Sequence, residues 1–220
     1  MSFVNFRKKE ISLKIVYYGP GLSGKTTNLE RIHAMMPDDV KGKMTMLSTK
    51  EDRTLYFDFL PLRSDAIPGF ISRFQLYTVP GQPIYDKTRQ LVLTGVDGVV
   101  FVADSQWEQM ENNSISFEDL KTNLKTHNAS LENLPYILQF NKRDLPAIAP
   151  IHYMDFLLNQ GDTRTTYIDA VAVKDIGVDV TLNLVCKMVT AKFIQDNNMS
   201  SDNLNKAADV AVPQVEQKSE

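Results

Sequence analysis

This chain has one cysteine, one tryptophan and three histidines in 220 residues, and the scarcity of the first and third removes classes of function. A lone Cys186 cannot close an intrachain disulfide, and its apolar helical surroundings read as a packed thiol that suits a reducing cytosol. His33, His127 and His152 are dispersed without metal-ligand spacing, so no zinc site is legible and all three are expected on solvent or helix surfaces rather than in catalysis. No apolar run reaches the ~18–20 residues that cross a bilayer. Met1-Ser2-Phe3 carries neither a secretory apolar core nor a myristoylation glycine, and Gln217-Lys218-Ser219-Glu220 lacks a prenylation cysteine, so no direct membrane anchor is expected. A net charge of −3 exerts no global pull toward nucleic acid, which is an unlikely partner.

What is present points to one α/β domain, because a 43% hydrophobic share supports one substantial core. Strand-like runs recur at Leu13–Tyr18, Leu55–Leu60, Phe70–Val79, Gly98–Ala103, Pro135–Phe140 and Thr166–Val173. Helical windows begin near Lys25, Asp86, Phe117, His152 and Val178. This alternation predicts βα units and a mainly parallel sheet. The unbroken apolarity of Gly98–Ala103 and Tyr136–Phe140 predicts central strands covered on both faces. Within Asp58–Thr78, a Pro-Leu-Arg-Ser-Asp-Ala-Ile-Pro-Gly segment predicts the connection of an antiparallel edge hairpin, whose loop is a candidate partner surface. The aromatic group Tyr56, Phe57, Phe59, Phe70, Phe74 and Tyr77 reads as packing beneath that hairpin. Residues 1–196 form the domain. From 197 to 220 the composition turns to Asn, Asp, Ser, Gln, Glu and Lys without periodicity, which predicts a disordered tail, a short helix around Leu204–Val212 being the other reading.

Residues 19–27 read Gly-Pro-Gly-Leu-Ser-Gly-Lys-Thr-Thr, a complete G-x-x-x-x-G-K-[ST] pattern between an apolar strand and a helix-forming run. Glycines at 19, 21 and 24 let the backbone curl so that the N–H groups of Leu22, Ser23, Gly24 and their neighbours turn inward on a phosphate, and the helix beginning at Lys25 adds its positive end. Lys25 supplies a mobile charge for β- and γ-phosphates. Thr26 places a hydroxyl where a phosphate-bound Mg²⁺ takes an oxygen ligand, and Thr27 continues the cradle.

The second motif, Asn141-Lys142-Arg143-Asp144, follows the apolar strand Tyr136–Phe140. A carboxylate at Asp144 accepts two parallel hydrogen bonds from N1–H and the exocyclic amine of guanine, a pattern adenine does not offer. Asn141 would tie this loop to the phosphate loop, and the stem of Lys142 would lie along the base. Alone the tetrapeptide is weak; at the carboxyl end of a strand and following a phosphate loop it is strong.

Here the chain resembles the Ras-like small GTPases and, within them, the bacterial MglA family that controls cell polarity and gliding motility. The resemblance covers about residues 1–195 and is carried by KIVYYGPGLSGKTTN (14–28), LSTKEDRTLYFDFL (47–60), LYTVPGQ (76–82), GVDGVVFVADSQ (95–106) and NKRDLP (141–146). It implies a three-layer phosphate-loop fold with a mostly parallel sheet of six to seven strands and an antiparallel edge hairpin. GTP or GDP with Mg²⁺ would be the ligand, in a cytoplasmic protein with room for clustering at a cell pole. Gln82 would orient the attacking water, and Gly81 would offer its N–H to the γ-phosphate. Thr78 stands where such proteins have an aspartate, which leaves a metal shell of Thr26, nucleotide oxygens and water. Thr54 would join that metal in the GTP state, and Arg53 resembles an arginine finger supplied in cis, although Glu51 and Asp52 beside it also suit a surface charge. Ala172, in Val171-Ala172-Val173, would give its N–H to guanine O6, while Lys174-Asp175 departs from the Thr-Gly of such proteins. The expected partners are a roadblock-family GTPase activator and polarity or motility effectors. Two rivals stay open: a scaffold that does not hydrolyse nucleotide, and an ATP-using enzyme on the same loop.

Overall fold

The strand β2 (Glu10–Tyr18) decides the layering, because one face is apolar throughout and, past Glu10, Ser12 and Lys14, the other becomes apolar over its carboxyl half. Ile11, Leu13, Ile15 and Tyr17 enter one buried cluster, whereas Val16 and Tyr18 enter a second. A period of two makes consecutive residues face opposite sides, so a strand apolar at every position needs cover on both. β6 (Gly98–Asp104), buried at all positions, repeats this: Val100 and Val102 join the first cluster, Val99, Phe101 and Ala103 the second. Helices α1 (Lys25–Met35) and α5 (Val178–Asp196) cover the first face through Leu29, Ile32, Leu182, Val185 and Val189. Helices α2 (Asp86–Leu93), α3 (Met110–Lys125) and α4 (Ile151–Leu158) cover the second through Leu93, Phe117, Leu120 and Met154. This is the three-layer α/β architecture expected.

The computed structural model describes residues 3–47, 57–65, 67, 69–82, 85–160 and 164–197. The expectations placed on Arg53, Thr54, Tyr56 and the tail from 198 onward lie outside these residues. Among the described residues the remaining strands are β1 (Phe3–Asn5), β3 (Thr45–Leu47), β4 (Phe57–Ser64), β5 (Ile71–Thr78), β7 (Tyr136–Asn141) and β8 (Tyr167–Asp169). The sheet runs β3-β4-β5-β2-β6-β7-β8, with β1 paired antiparallel to β2. Strands β5, β2, β6, β7 and β8 are parallel, and β3, β4 and β5 pair antiparallel. Connections leave the carboxyl end of β2 in one direction and pass back across it after β5, so that end is a topological switch point, where α/β sheets bind ligands.

Several sequence expectations shift. Two three-residue strands, β1 and β3, are too short to show a period; β3 completes a path of seven strands, within the expected six to seven, and β1 lies off it as an antiparallel addition to β2. Pro61 is not in the hairpin loop but inside β4, opposite Gln75. It is tolerated because β3 pairs only with Phe57–Phe59, leaving Pro61 on an outer edge where its carbonyl still accepts from Gly42 N–H at 2.8 Å. Helix α3 begins at Met110, not near Phe117, because Asn113 interrupts the apolar stripe. That buried amide bonds both backbone groups of Asp104, at 3.0 and 2.8 Å. The aromatic group packs as expected where it is described: Phe74 is fully buried, and Phe59 and Tyr77 rings lie 4.9 Å apart. Cys186 is buried, and burial pushes its thiol pKa up, away from reactivity.

Candidate nucleotide-binding site

The phosphate loop leaves β2 at the switch point and enters α1 through Gly24, whose φ of 103° needs glycine. A Cβ there would lie 2.2 Å from Asn141 Nδ2, so the position also permits a close approach. No side chain caps α1, and its first turn holds no acid, which leaves the N–H groups of that turn for an anion. Lys25 is 7% exposed and donates from Nζ to the carbonyls of Gly19 at 2.9 Å and Pro20 at 2.6 Å. Burial, with the Arg89 charge adding to it and Asp58 opposing it, lowers its pKa to about 7. A phosphate group would reverse that balance by supplying negative charge.

Asn141 bridges this loop to the base side. Its Nδ2 donates to the Ser23 carbonyl at 2.8 Å, and its Oδ1 accepts from Ala172 N–H at 2.9 Å. Three segments distant in sequence are thereby held by one amide. The cavity beside them measures about 270 Å³ and is lined by Gly24, Thr27, Lys142, Asp144, Ala172 and Val173 among others. Lys142 adopts a φ of 65°, and its Nζ reaches the buried Asp104 at 2.6 Å. The Ala172 N–H, expected to face a base, is thus engaged by Asn141. The next N–H, that of Val173, has no hydrogen-bond partner among the described residues, and Val173 is exposed beside the cavity.

Across the loop, Thr26 Oγ1 donates to Asp58 Oδ2 at 2.7 Å, and Thr78 Oγ1 donates to the same oxygen at 2.8 Å. Asp58 N–H donates back to Thr78 Oγ1 at 2.9 Å. The carboxylate missing at 78 is therefore supplied by the neighbouring antiparallel strand, a residue the sequence reading overlooked. Its signal was there: Asp58 shares the buried face of β4 with Leu60 and Leu62, an odd place for an acid. A carboxylate thus stands beside Thr26, where the expectation was a shell of Thr26, nucleotide oxygens and water alone. Two hydroxyls and one carboxylate suit a hard cation such as Mg²⁺, which takes oxygen ligands and retains waters and phosphate oxygens. No cluster of three or more His, Cys, Asp or Glu side chains converges among the described residues, so such an ion would rely on hydroxyls and ligand oxygens.

At the phosphate end a second cavity, about 460 Å³, is lined by Gly21, Leu22, Gly81, Gln82, Arg89 and Asp119 among others. Gly81 packs on Gly21 so closely that a Cβ would lie 2.2 Å from the Gly21 nitrogen. Gln82 is exposed, and its carbonyl accepts from Arg89 Nη1 at 2.6 Å. Arg89, buried on α2, also meets Asp119 of α3 at 2.8 Å, and Asp119 accepts from Tyr18 Oη of β2 at 2.5 Å. The Gln82 loop is thereby moored to a central strand. Neither Arg89 nor Asp119 belongs to a local motif, and only packing reveals them.

None of His33, His127 and His152 lines either cavity, and Trp107 packs on Tyr153 with ring centroids 4.9 Å apart and the planes tilted by 51°. No helix among the described residues is long and apolar enough to cross a membrane.

No protein-family model matches the chain. It is 52% identical over 193 residues to the mutual gliding-motility protein MglA of Myxococcus xanthus, a match covering 88% of this chain and 98% of that protein. With the phosphate loop, the base-side loop and the mostly parallel sheet that joins them in place, the likeness settles the family: this chain belongs to the MglA family.

Proposed function

We propose that this protein is a guanine-nucleotide switch, which binds GTP, hydrolyses it slowly and engages polarity or motility effectors in the GTP state. The observation that carries the reading is the Asn141 bridge, which holds the phosphate loop and the Asp144 loop around one cavity. The first-turn N–H groups of α1 and Lys25 take the phosphates. Asp144 reads N1–H and the amine of guanine, and Val173 N–H, left free by the Ala172–Asn141 bond, serves O6. When bound, Mg²⁺ neutralises phosphate charge; Thr26 and Asp58 would hold it, Thr78 would hold Asp58, and Thr54 remains a proposed ligand from the sequence.

Gln82 orients the water and Gly81 senses the γ-phosphate, both in a loop moored by Arg89. Arg53 is retained as a finger in cis, pressed into place by a roadblock-family activator, on the strength of the family resemblance. The relative's printed name supports an output in gliding motility.

The test is guanine and adenine nucleotide affinity with Mg²⁺, followed by single-turnover GTP hydrolysis on nucleotide-stripped protein. Guanine-selective binding with slow turnover is expected. Tight guanine binding without turnover would leave a non-hydrolysing scaffold, and preference for adenine would revive an ATP-using enzyme.

A further inference from the structure

Two ion pairs meet at the base-side loop, at the positions where the sequence departs from Thr-Gly. Lys174 Nζ lies 2.9 Å from Asp144 Oδ2. Its neighbour Asp175 takes a two-pronged contact from Arg31 of α1, with Nε donating to Oδ1 at 2.5 Å and Nη2 to Oδ2. The short turn between them is closed by Lys174 N–H to the Val171 carbonyl at 2.8 Å and Asp175 N–H to the Ala172 carbonyl at 3.2 Å. Asp175 adopts a φ of 64°, a left-handed conformation that non-glycine residues hold only when surroundings fix them, and the Arg31 fork is that fixture.

The direction of approach decides what Lys174 does. Asp144 lines the base cavity, and Lys174 does not. The ammonium therefore reaches the carboxylate from outside. An ionised carboxylate has about four lone-pair sites on two oxygens, so one bond from outside leaves sites for the two parallel donors of guanine. Without a partner, a short side chain that is 24% exposed is free to rotate about its terminal torsion and lose that alignment.

We propose that Lys174 is a positioning residue for base selection: its ammonium fixes the Asp144 carboxylate in the orientation that reads guanine, and the Arg31–Asp175 fork fixes the turn from which it reaches. This rests on the guanine-binding reading above. The same hydrogen bond holds the Asp144 carboxyl below the usual carboxylate range, which keeps it an acceptor. The arrangement also ties α1, which carries the phosphate loop, to the base-reading loop through side chains alone.

The experiment compares GDP, inosine diphosphate and ADP affinities of the full chain carrying Lys174→Met, Lys174→Arg, Asp144→Asn or Lys174→Met with Asp144→Asn. Inosine diphosphate lacks the exocyclic amine, so the ratio of its dissociation constant to that of GDP reads the second Asp144 bond directly. Lys174→Met is expected to weaken GDP about three- to fivefold, the scale of an exposed ion pair, and inosine diphosphate less, so that the ratio shrinks. Lys174→Arg should restore the ratio, and Lys174→Met should add nothing once Asp144 is Asn. Tighter GDP binding in Lys174→Met would show that the lysine competes with the base and would overturn the proposal. So would equal weakening of both nucleotides, or no change in either. If the unaltered chain does not prefer GDP to ADP and Asp144→Asn changes nothing, the guanine reading itself has failed and takes the proposal with it. A normal Asp144→Asn effect beside an inert Lys174→Met rejects only the role of the lysine.

Discussion

Thr78 and Asp58 are reciprocal hydrogen-bond partners: the Thr78 hydroxyl donates to Asp58 Oδ2 at 2.8 Å and accepts from the Asp58 N–H at 2.9 Å. Adjacent antiparallel strands bring β4 and β5 into a register in which the acid of one strand stands beside the threonine of the other. Asp58→Asn would keep the shape and remove the charge. The concentration of Mg²⁺ required to slow GDP release should rise about tenfold or more, because a hard cation loses its nearest protein charge. A stopped-flow titration of nucleotide release against Mg²⁺ measures this; an unaltered midpoint would assign Asp58 to strand packing alone.

Lys25 gives a pH signature. Its pKa is lowered to about 7, chiefly by burial, from an ordinary 10.5. A phosphate beside it favours the charged amine, so nucleotide binding to stripped protein should take up a proton near pH 8, and affinity should fall as pH rises above about 7. Calorimetry of GDP binding in two buffers of different ionisation enthalpy reads the uptake. The unfolded chain binds the proton that the folded amine gives up. The lysine therefore makes stripped protein gain stability as pH rises from about 7 toward 10.5, and its penalty is full below pH 7.

Gln82 and Arg89 should separate chemistry from stability. Gln82→Leu leaves the Arg89 contact to the backbone carbonyl intact, so GTP affinity should change little while single-turnover hydrolysis falls about 10²-fold or more, the scale of a misplaced reacting group. A parallel loss of affinity would contradict the assigned role.

Arg89→Met removes the mooring and leaves Asp119 without its guanidinium. Urea unfolding should show a loss of about 1–3 kcal/mol, the usual cost of stranding a buried polar partner. Hydrolysis should slow as well, since the Gln82 loop is no longer held to α2.

Asn141→Ala strands the Ser23 carbonyl and the Ala172 N–H together. Affinities for guanine and adenine nucleotides should both fall, because the bridge sets the geometry of the whole cavity rather than the choice of base. Asp144→Asn, by contrast, should change selectivity; a competition assay with both purines distinguishes the two.

The sequence by itself determined the three-layer plan and the two loops of the site. Unbroken apolar strands demand cover on both faces, and G-x-x-x-x-G-K-T and N-K-x-D are local patterns whose chemistry is set by residue type and spacing. Its errors were of one kind. Asn113 hid the start of α3, Pro61 mimicked a loop, and β1 and β3 were too short for a period to register. Only the tertiary structure decided which carboxylate stands beside Thr26, what moors Gln82, that Ala172 N–H belongs to Asn141, and that Lys174 grips Asp144. Each of these is a contact between residues far apart in sequence or on separate elements, where strand register and helix packing fix the partner. The Thr26–Asp58 bond spans 32 residues and the Arg31–Asp175 fork spans 144. Neither has a spacing rule, because the sheet, not the chain, sets the distance.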